Sequence, residues 1–301
     1  MLLRICLYLF LLFLPANYTT TRSSSPLIPA DPAAAMSSVC RQLYADMQLD
    51  SMVDYTAFEQ AITGAQAIER RNKDIITLID FTKPSTEERL YVLDIRHKRL
   101  LFSSLVSHGK NSGGNYATSF SNKVNSYKSS LGFFVTENTY QGKNGYSLVL
   151  NGLEKGINDR AKERAIVVHG ANYCSPSVAV STGRLGRSFG CPALPPSLAK
   201  PIINTIKDGT LLYIYANDKE YLSQSTILST GRSISPNSII AVQPAAKSPP
   251  ADRYFPLKTA APPHNRLPGH TGQAEQNHLQ PALPDPATKP SSSLPATVRR
   301  E

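Results

Sequence analysis

The sequence predicts a mainly β fold, a sandwich or closed sheet, with a short helical N-terminal prefix and one or two peripheral helices. Three observations carry this. Seven short apolar runs follow one another after Asn72, rich in Val, Ile, Leu, Tyr and Phe. Twelve of the 17 glycines lie between Gly109 and Gly190, which implies many turns and close backbone approaches there. Long helical patterns do not alternate with the runs, so a parallel α/β sheet is disfavoured.

The chain opens on MLLRICLYLFLLFLPA, in which Arg4 precedes an apolar run from Ile5 to Leu14. That run is too short for a membrane-spanning helix and fits the apolar core of a secretory signal peptide, so residues 1–20 are assigned to one. An uncleaved segment would instead tether the chain to a membrane, and either outcome places it outside the cytoplasm, in the periplasm or cell envelope. Residues 21–36 read as a linker. Residues 37–70 read as a helical prefix: Ser37 is a plausible N-cap, Val39, Leu43 and Met47 recur at helical spacing, and Phe58, Ala61 and Ile62 mark a second helix.

Residues 71–230 hold the strands, expected at 74–81, 89–95, 100–107, 131–136, 146–150, 165–169 and 210–215. One later helix is expected over 197–207, ended by Gly209. From Gly231 to Glu301 the chain carries 13 of its 23 prolines with little apolar periodicity, and this composition predicts a disordered tail. The net charge of +10 is spread without a dense Lys/Arg run. It suits an anionic envelope polymer, while a nucleic-acid partner is disfavoured for an exported chain without a basic-aromatic motif.

The chemistry concentrates in two segments. The run Ala165-Ile-Val-Val-His-Gly170 reads as a buried strand ending in His169, where an imidazole can take a proton at neutral pH. Cys191 follows 22 residues later, in GRSFGCPALP, after a glycine and in a turn stiffened by Pro192, Pro195 and Pro196. A thiol needs a nearby base or positive field to act as a nucleophile. Backbone N–H groups around Gly190 and Cys191 are candidates for an oxyanion hole, Ser188 for support of the turn, and Arg187 and Arg184 for a carboxylate fork, with Lys110 as an alternative. Setting aside Cys6, an odd set remains: Cys40, Cys174 and Cys191. In an oxidising compartment at least one of these thiols stays unpaired within the monomer.

The other residues carry weaker signals. His108 in SHGKNSGG is either a cleft residue or a turn histidine. Tyr173 and Asn172 either shape the cleft or form an ordinary turn. Asp94 and Asp159 read as turn-stabilising. His108, His169 and Cys191 could compose a metal site, but no ligand pair has helix or knuckle spacing, so no metal and no cofactor is expected.

The segments KPSTEERLYVLDI, LVSHGKNSGGNYATSFSN, SSLGFFVTENTYQGKNGYSLVLNGLEKGIND, RAIVVHGANY and GRSFGCPALP resemble, in consistent order from Lys83 to Tyr215, the YkuD-type L,D-transpeptidase catalytic domain family in its murein branch. The resemblance implies a YkuD-like β fold and an enzyme acting on peptidoglycan stem peptides. Cys191 would be the nucleophile and His169 its base, forming a thioester with release of D-alanine and then a 3–3 crosslink. Phe189 stands where the commoner family motif has a second histidine, and Pro192-Ala193 where it has Arg or Asn. A thioester-forming Cys191 must be a free thiol, which leaves Cys40 and Cys174 able to bridge the prefix to the loop after the catalytic strand. An L,D-carboxypeptidase, another cysteine amide hydrolase and a catalytically silent wall-binding module are the alternatives.

Overall fold

In the computed structural model, which describes residues 32–233, the apolar runs after Asn72 form one eight-stranded sheet. Its strands are β1 (Ile75–Asp80), β2 (Leu90–Asp94), β3 (Arg99–Ser104), β4 (Gly132–Gly142), β5 (Gly145–Gly152), β6 (Val167–Gly170), β7 (Ala193–Leu194) and β8 (Leu211–Tyr215). They lie in the order β3-β2-β1-β8-β4-β5-β6-β7. Pairs are antiparallel except β1 with β8 and β6 with β7. Every residue of β2 and β8 is buried, which is why these strands read as continuous apolar runs rather than as alternating ones.

The sheet nearly closes on itself. Beyond β3, Ser107 bridges Ala193 of β7, and its N–H donates to the Ala193 carbonyl at 2.9 Å. Two strands that would otherwise be open edges are thereby joined.

Seven strands fall on the seven apolar runs. The eighth, β7, has two residues inside a proline-rich turn, too few for any alternation to register. It exists as a strand because β6 supplies its partner.

Helix α1 (Pro32–Asp46) packs on α2 (Tyr55–Gln66), and α2 lies against β1 and β8. Asp54 caps α2 by accepting the Ala57 N–H at 2.8 Å. Gly64 lets α2 approach the sheet closely, since a Cβ there would sit 2.1 Å from Cζ of Phe133. The expected start at Ser37 is corrected. Proline, suited to a first turn, opens α1 at Pro32, and Ser37 lies inside the helix, donating to Glu59 Oε1 at 2.8 Å. Residues 32–36 are therefore helix, not linker.

After β6 come α3 (Pro176–Thr182), α4 (Pro196–Ile206), α5 (Lys219–Gln224) and α6 (Thr226–Ser233). Only α4 has a legible period, and its Ile202, Ile203 and Ile206 are fully buried. The other three are too short for one, and α3 and α5 start at the side-chain caps Ser175 and Asp218. Because α6 runs through Ser233, the folded chain passes the expected tail start at Gly231. A Cβ at Gly231 would meet the Thr63 carbonyl at 2.2 Å, so this glycine lies tight against α2. The expected signal peptide, most of the linker and the tail beyond Ser233 lie outside the described residues. Among the described residues no helix is long and apolar enough to cross a membrane.

The expected bridge between Cys40 and Cys174 is not formed, and both thiols are free and buried. The physical reason is their separation into different cores. Cys40 belongs to the main core with α1 and α2, whereas Cys174 packs with Ala179 and Leu185 in a small satellite cluster.

Glu154 ties the C-terminal helices to the sheet. Its buried carboxylate accepts the Phe133 N–H at 2.8 Å, the Ser225 hydroxyl and the Tyr221 hydroxyl. Burial nevertheless pushes this carboxyl above its ordinary value. Glu154→Ala is expected to destabilise the fold by about 2–3 kcal/mol, because three donors lose their acceptor. A carboxyl whose value is raised in the folded state contributes most below the ordinary glutamate value of about 4.3 and loses that contribution as pH rises through the raised value. Urea midpoints should thus separate wild type and variant more at about pH 4 than at about pH 8. A separation that grows toward alkaline pH would contradict this assignment.

Candidate active site

The turn before β7 is built around Gly190. Its φ of +128° lies in the region that favours glycine, and a Cβ there would stand 2.8 Å from the Lys128 carbonyl and 3.0 Å from Ile166 Cδ1. Ser188 holds the turn from within: its hydroxyl accepts the Gly190 N–H at 3.1 Å and donates to the Cys191 carbonyl at 2.6 Å. Ser129 Oγ donates to the Gly190 carbonyl at 3.1 Å. Gly190 and Ser188 thus shape the turn. The expectation that the Gly190 N–H serves an oxyanion is corrected, because Ser188 already takes it. The Cys191 N–H instead lies beside its own sulfur.

Backbone groups at the start of β6 place the sulfur. β6 and β7 run parallel with His169 opposite Ala193. Two residues before Ala193 the backbone pairing has ended, and the Val167 N–H points instead at Cys191 Sγ at 3.5 Å. Cys191 and His169 both line one cleft.

His169 is buried, and its Nδ1–H donates to the Gly170 carbonyl at 3.0 Å. That contact selects the neutral tautomer with Nε2 as the bare acceptor. Burial pushes the imidazole below its ordinary value. The Cys191 sulfhydryl donates to the Ala165 carbonyl at 3.6 Å. Enclosure of the sulfur raises the thiol above its ordinary value, opposed by the Val167 N–H and the Arg164 guanidinium. Base and thiol therefore rest as a neutral pair, not as an ion pair.

Arg164 was not singled out in the sequence. Its guanidinium donates to the carbonyls of Ser121 and Lys128 and to Ser130 Oγ, and it lies behind Gly190. Nothing local distinguishes it from Arg160, which is exposed and paired with Glu163. Its place just before a buried strand, whose end carries the base, was the available signal.

The other expected residues divide. Tyr173, Asn172 and Arg187 line the cleft with Cys191 and His169. Arg187 Nη1 donates to the carbonyls of Lys110 and Gly113 at 3.1 and 2.8 Å, which holds the 110–113 loop on the cleft wall. Arg184 lies outside the lining and donates to the Leu185 carbonyl, so the two arginines do not form a fork on one ligand. His108 is fully buried and is not a cleft residue. Its Nδ1 accepts from Arg89 Nη2 at 2.8 Å, and burial with the Arg89 charge lowers it to about 4, making it a neutral brace. Asp94 accepts from His97 and Arg99, and Asp159 from the Gly156 N–H and Asn122, which are turn and surface contacts.

The cleft encloses about 730 Å³. Lys143, Arg187 and Lys200 stand in its lining, which contains no Asp or Glu, and this charge suits an anionic ligand. Among the described residues no cluster of three or more His, Cys, Asp or Glu could hold a metal ion.

Comparison with known proteins bears on this arrangement. No curated protein matches the chain. Among solved structures, it is similar to an L,D-transpeptidase from Mycobacterium smegmatis, with 14% identity, coverage of 48% of this chain and 59% of that one, and a TM-score of 0.30. It is similar to L,D-transpeptidase 1 of Mycobacterium tuberculosis, with 14% identity, coverage of 48% and 62%, and a TM-score of 0.28. A third is an L,D-transpeptidase from Stackebrandtia nassauensis, with 13% identity, coverage of 62% and 79%, and a TM-score of 0.30. The chain spans about three-fifths of the first two. The sequence profile of the L,D-transpeptidase catalytic domain matches residues 49–215, from within the α1–α2 connection to the last residue of β8. With that match running over more than half of its length, the chain belongs to the L,D-transpeptidase catalytic domain family.

Proposed function

We propose that this protein is an exported peptidoglycan L,D-transpeptidase that uses Cys191 as its nucleophile. Residues 71–230 would carry the catalytic domain and the proline-rich tail would lie in the envelope. The observation that supports the reading is that Cys191 and His169 line one cleft whose lining carries Lys143, Arg187 and Lys200 and no carboxylate. A peptidoglycan stem bears free carboxylates and fits that charge.

The neutral resting pair dictates how the proton moves. The sulfhydryl is bonded to Ala165 rather than to the imidazole, so attack begins with a turn of the Cys191 side chain toward His169. His169 Nε2 takes the thiol proton as sulfur adds to the carbonyl of the L-centre of diaminopimelate. The oxyanion is met by the Cys191 N–H, and the Arg164 charge behind the turn favours negative charge on sulfur. His169 then returns the proton to the departing D-alanine amine, leaving a thioester. An amine of a second stem, its proton passing to His169, attacks the thioester and releases the thiol. Ser188 and Gly190 keep the turn in shape throughout.

Two outcomes test this. Purified protein incubated with tetrapeptide-stem muropeptides should give a crosslinked dimer by mass. Cys191→Ser should abolish it, and His169→Ala should slow it by about 10²–10⁴-fold. Loss of alanine without dimer would assign a carboxypeptidase instead, and retention without conversion a binding module. The neutral pair also predicts slow alkylation at neutral pH. The rate at which iodoacetamide labels Cys191 should rise into the alkaline range, with a midpoint above the ordinary thiol value of about 8.5. A midpoint near or below neutrality would mean a preformed ion pair and overturn this proton itinerary.

A further inference from the structure

Beside the nucleophile stands a group of surface residues that the mechanism above does not use. Phe189, two residues before Cys191, lines the same cleft and is 67% exposed. Its ring lies 4.9 Å from that of Tyr127, and the Lys110 ammonium sits over both, 4.3 Å from the Tyr127 centroid and 4.7 Å from that of Phe189. No ion pair between Lys110 and a carboxylate is formed among the described residues.

This group is held in place from three separate parts of the chain. The Lys110 N–H donates to the Ser188 carbonyl at 2.7 Å, and the Ser188 N–H to the His108 carbonyl at 2.9 Å, so residues 108–110 pair with the Cys191 turn like strands. Tyr127 has a φ of +54°, a left-handed conformation that is rare for a bulky side chain. It is fixed there by the Asn111 N–H on its carbonyl at 3.1 Å and by Asn111 Nδ2 on the Ser126 carbonyl at 2.9 Å. Strained backbone, exposed aromatic surface and a cation without an ion pair among the described residues thus meet on the rim of the cleft. None of the three is needed to fill the core, and such strain clusters where ligands are held.

We infer that Lys110 and Phe189, backed by Tyr127, form a subsite that selects a carboxylate of the substrate peptide, with the ammonium pairing the charge and the exposed ring supporting the adjoining carbon chain. The subsite rests on the transpeptidase reading and deepens it. The two aromatic faces keep Lys110 oriented by cation–π attraction, so little side-chain freedom is lost when the carboxylate arrives. Arg187, already bonded to two backbone carbonyls, serves to hold the loop that carries Lys110.

The test uses the full chain and tetrapeptide stems in which one carboxylate at a time is converted to a carboxamide, with kcat/KM for thioester formation as the readout. Wild type should prefer one free acid over its amide by about fivefold or more. Lys110→Met, which keeps the stem of the side chain and deletes the charge, should lose that preference, and Lys110→Arg should keep it. Phe189→Leu should raise KM while leaving the rate of Cys191 alkylation unchanged. An unchanged acid-over-amide preference in Lys110→Met would overturn the subsite, as would a wild type indifferent to every amidation. If wild type forms no thioester with any stem, the transpeptidase reading falls and the subsite falls with it. Normal thioester formation without a Lys110 effect removes the subsite alone.

Discussion

The parallel pairing of β6 with β7 is the constraint on which the rest of the site depends. A two-residue strand cannot hold its own place. β7 is anchored because His169 pairs with Ala193 on one side and Ser107, arriving from β3, bridges Ala193 on the other. That double anchorage closes the sheet and holds the turn that carries Cys191 against the start of β6. A slip of one residue would turn the β7 side chains to the opposite face and break the contact of the Val167 N–H with Cys191 Sγ. Gly190, Ser188 and Ser129 set the turn that leads into this register, so their work is structural even though they border the sulfur.

A fully buried arginine and a half-buried one support this part of the fold in related ways. Arg89 is fully buried and donates to the carbonyls of Val106 and Lys83 and to His108, while Phe81 covers its guanidinium at 4.9 Å. Arg164 does the equivalent behind Gly190 with the carbonyls of Ser121 and Lys128. Their charges are solvated by backbone carbonyls instead of carboxylates, which meets the requirement that a buried charge be hydrogen-bonded. Both consequently keep a positive field inside the fold. Near His108 that field helps hold the ring neutral, and near Cys191 it opposes the rise in thiol pKa caused by burial.

The positive character continues on the surface. Lys143, Arg187 and Lys200 line the cleft, and Lys110 stands at its rim between two aromatic rings. The net charge of +10 is therefore not featureless, since part of it is gathered where the thiol opens to solvent. Phe189 adds apolar surface at the position where the commoner family motif has a histidine.

The sequence by itself determined the mainly β class, seven of the eight strands and the α1, α2 and α4 helices. Those features are local: apolar runs and helical spacing leave their mark within a few residues. Tertiary structure alone decided the remainder. β7 is a strand only through β6, and α3, α5 and α6 are too short to show a period. The Gly190 N–H is lost to Ser188, Arg184 turns to its own loop, and His108 is drawn inward by Arg89, none of which the spacing reveals. Cys40 and Cys174 stay apart because their segments join different cores. Arg164 stands behind the sulfur because residues 121–130 fold over it from more than thirty positions away. A polar side chain's role is set by which distant carbonyl, ring or charge the fold brings to it, and a local pattern carries no record of that partner.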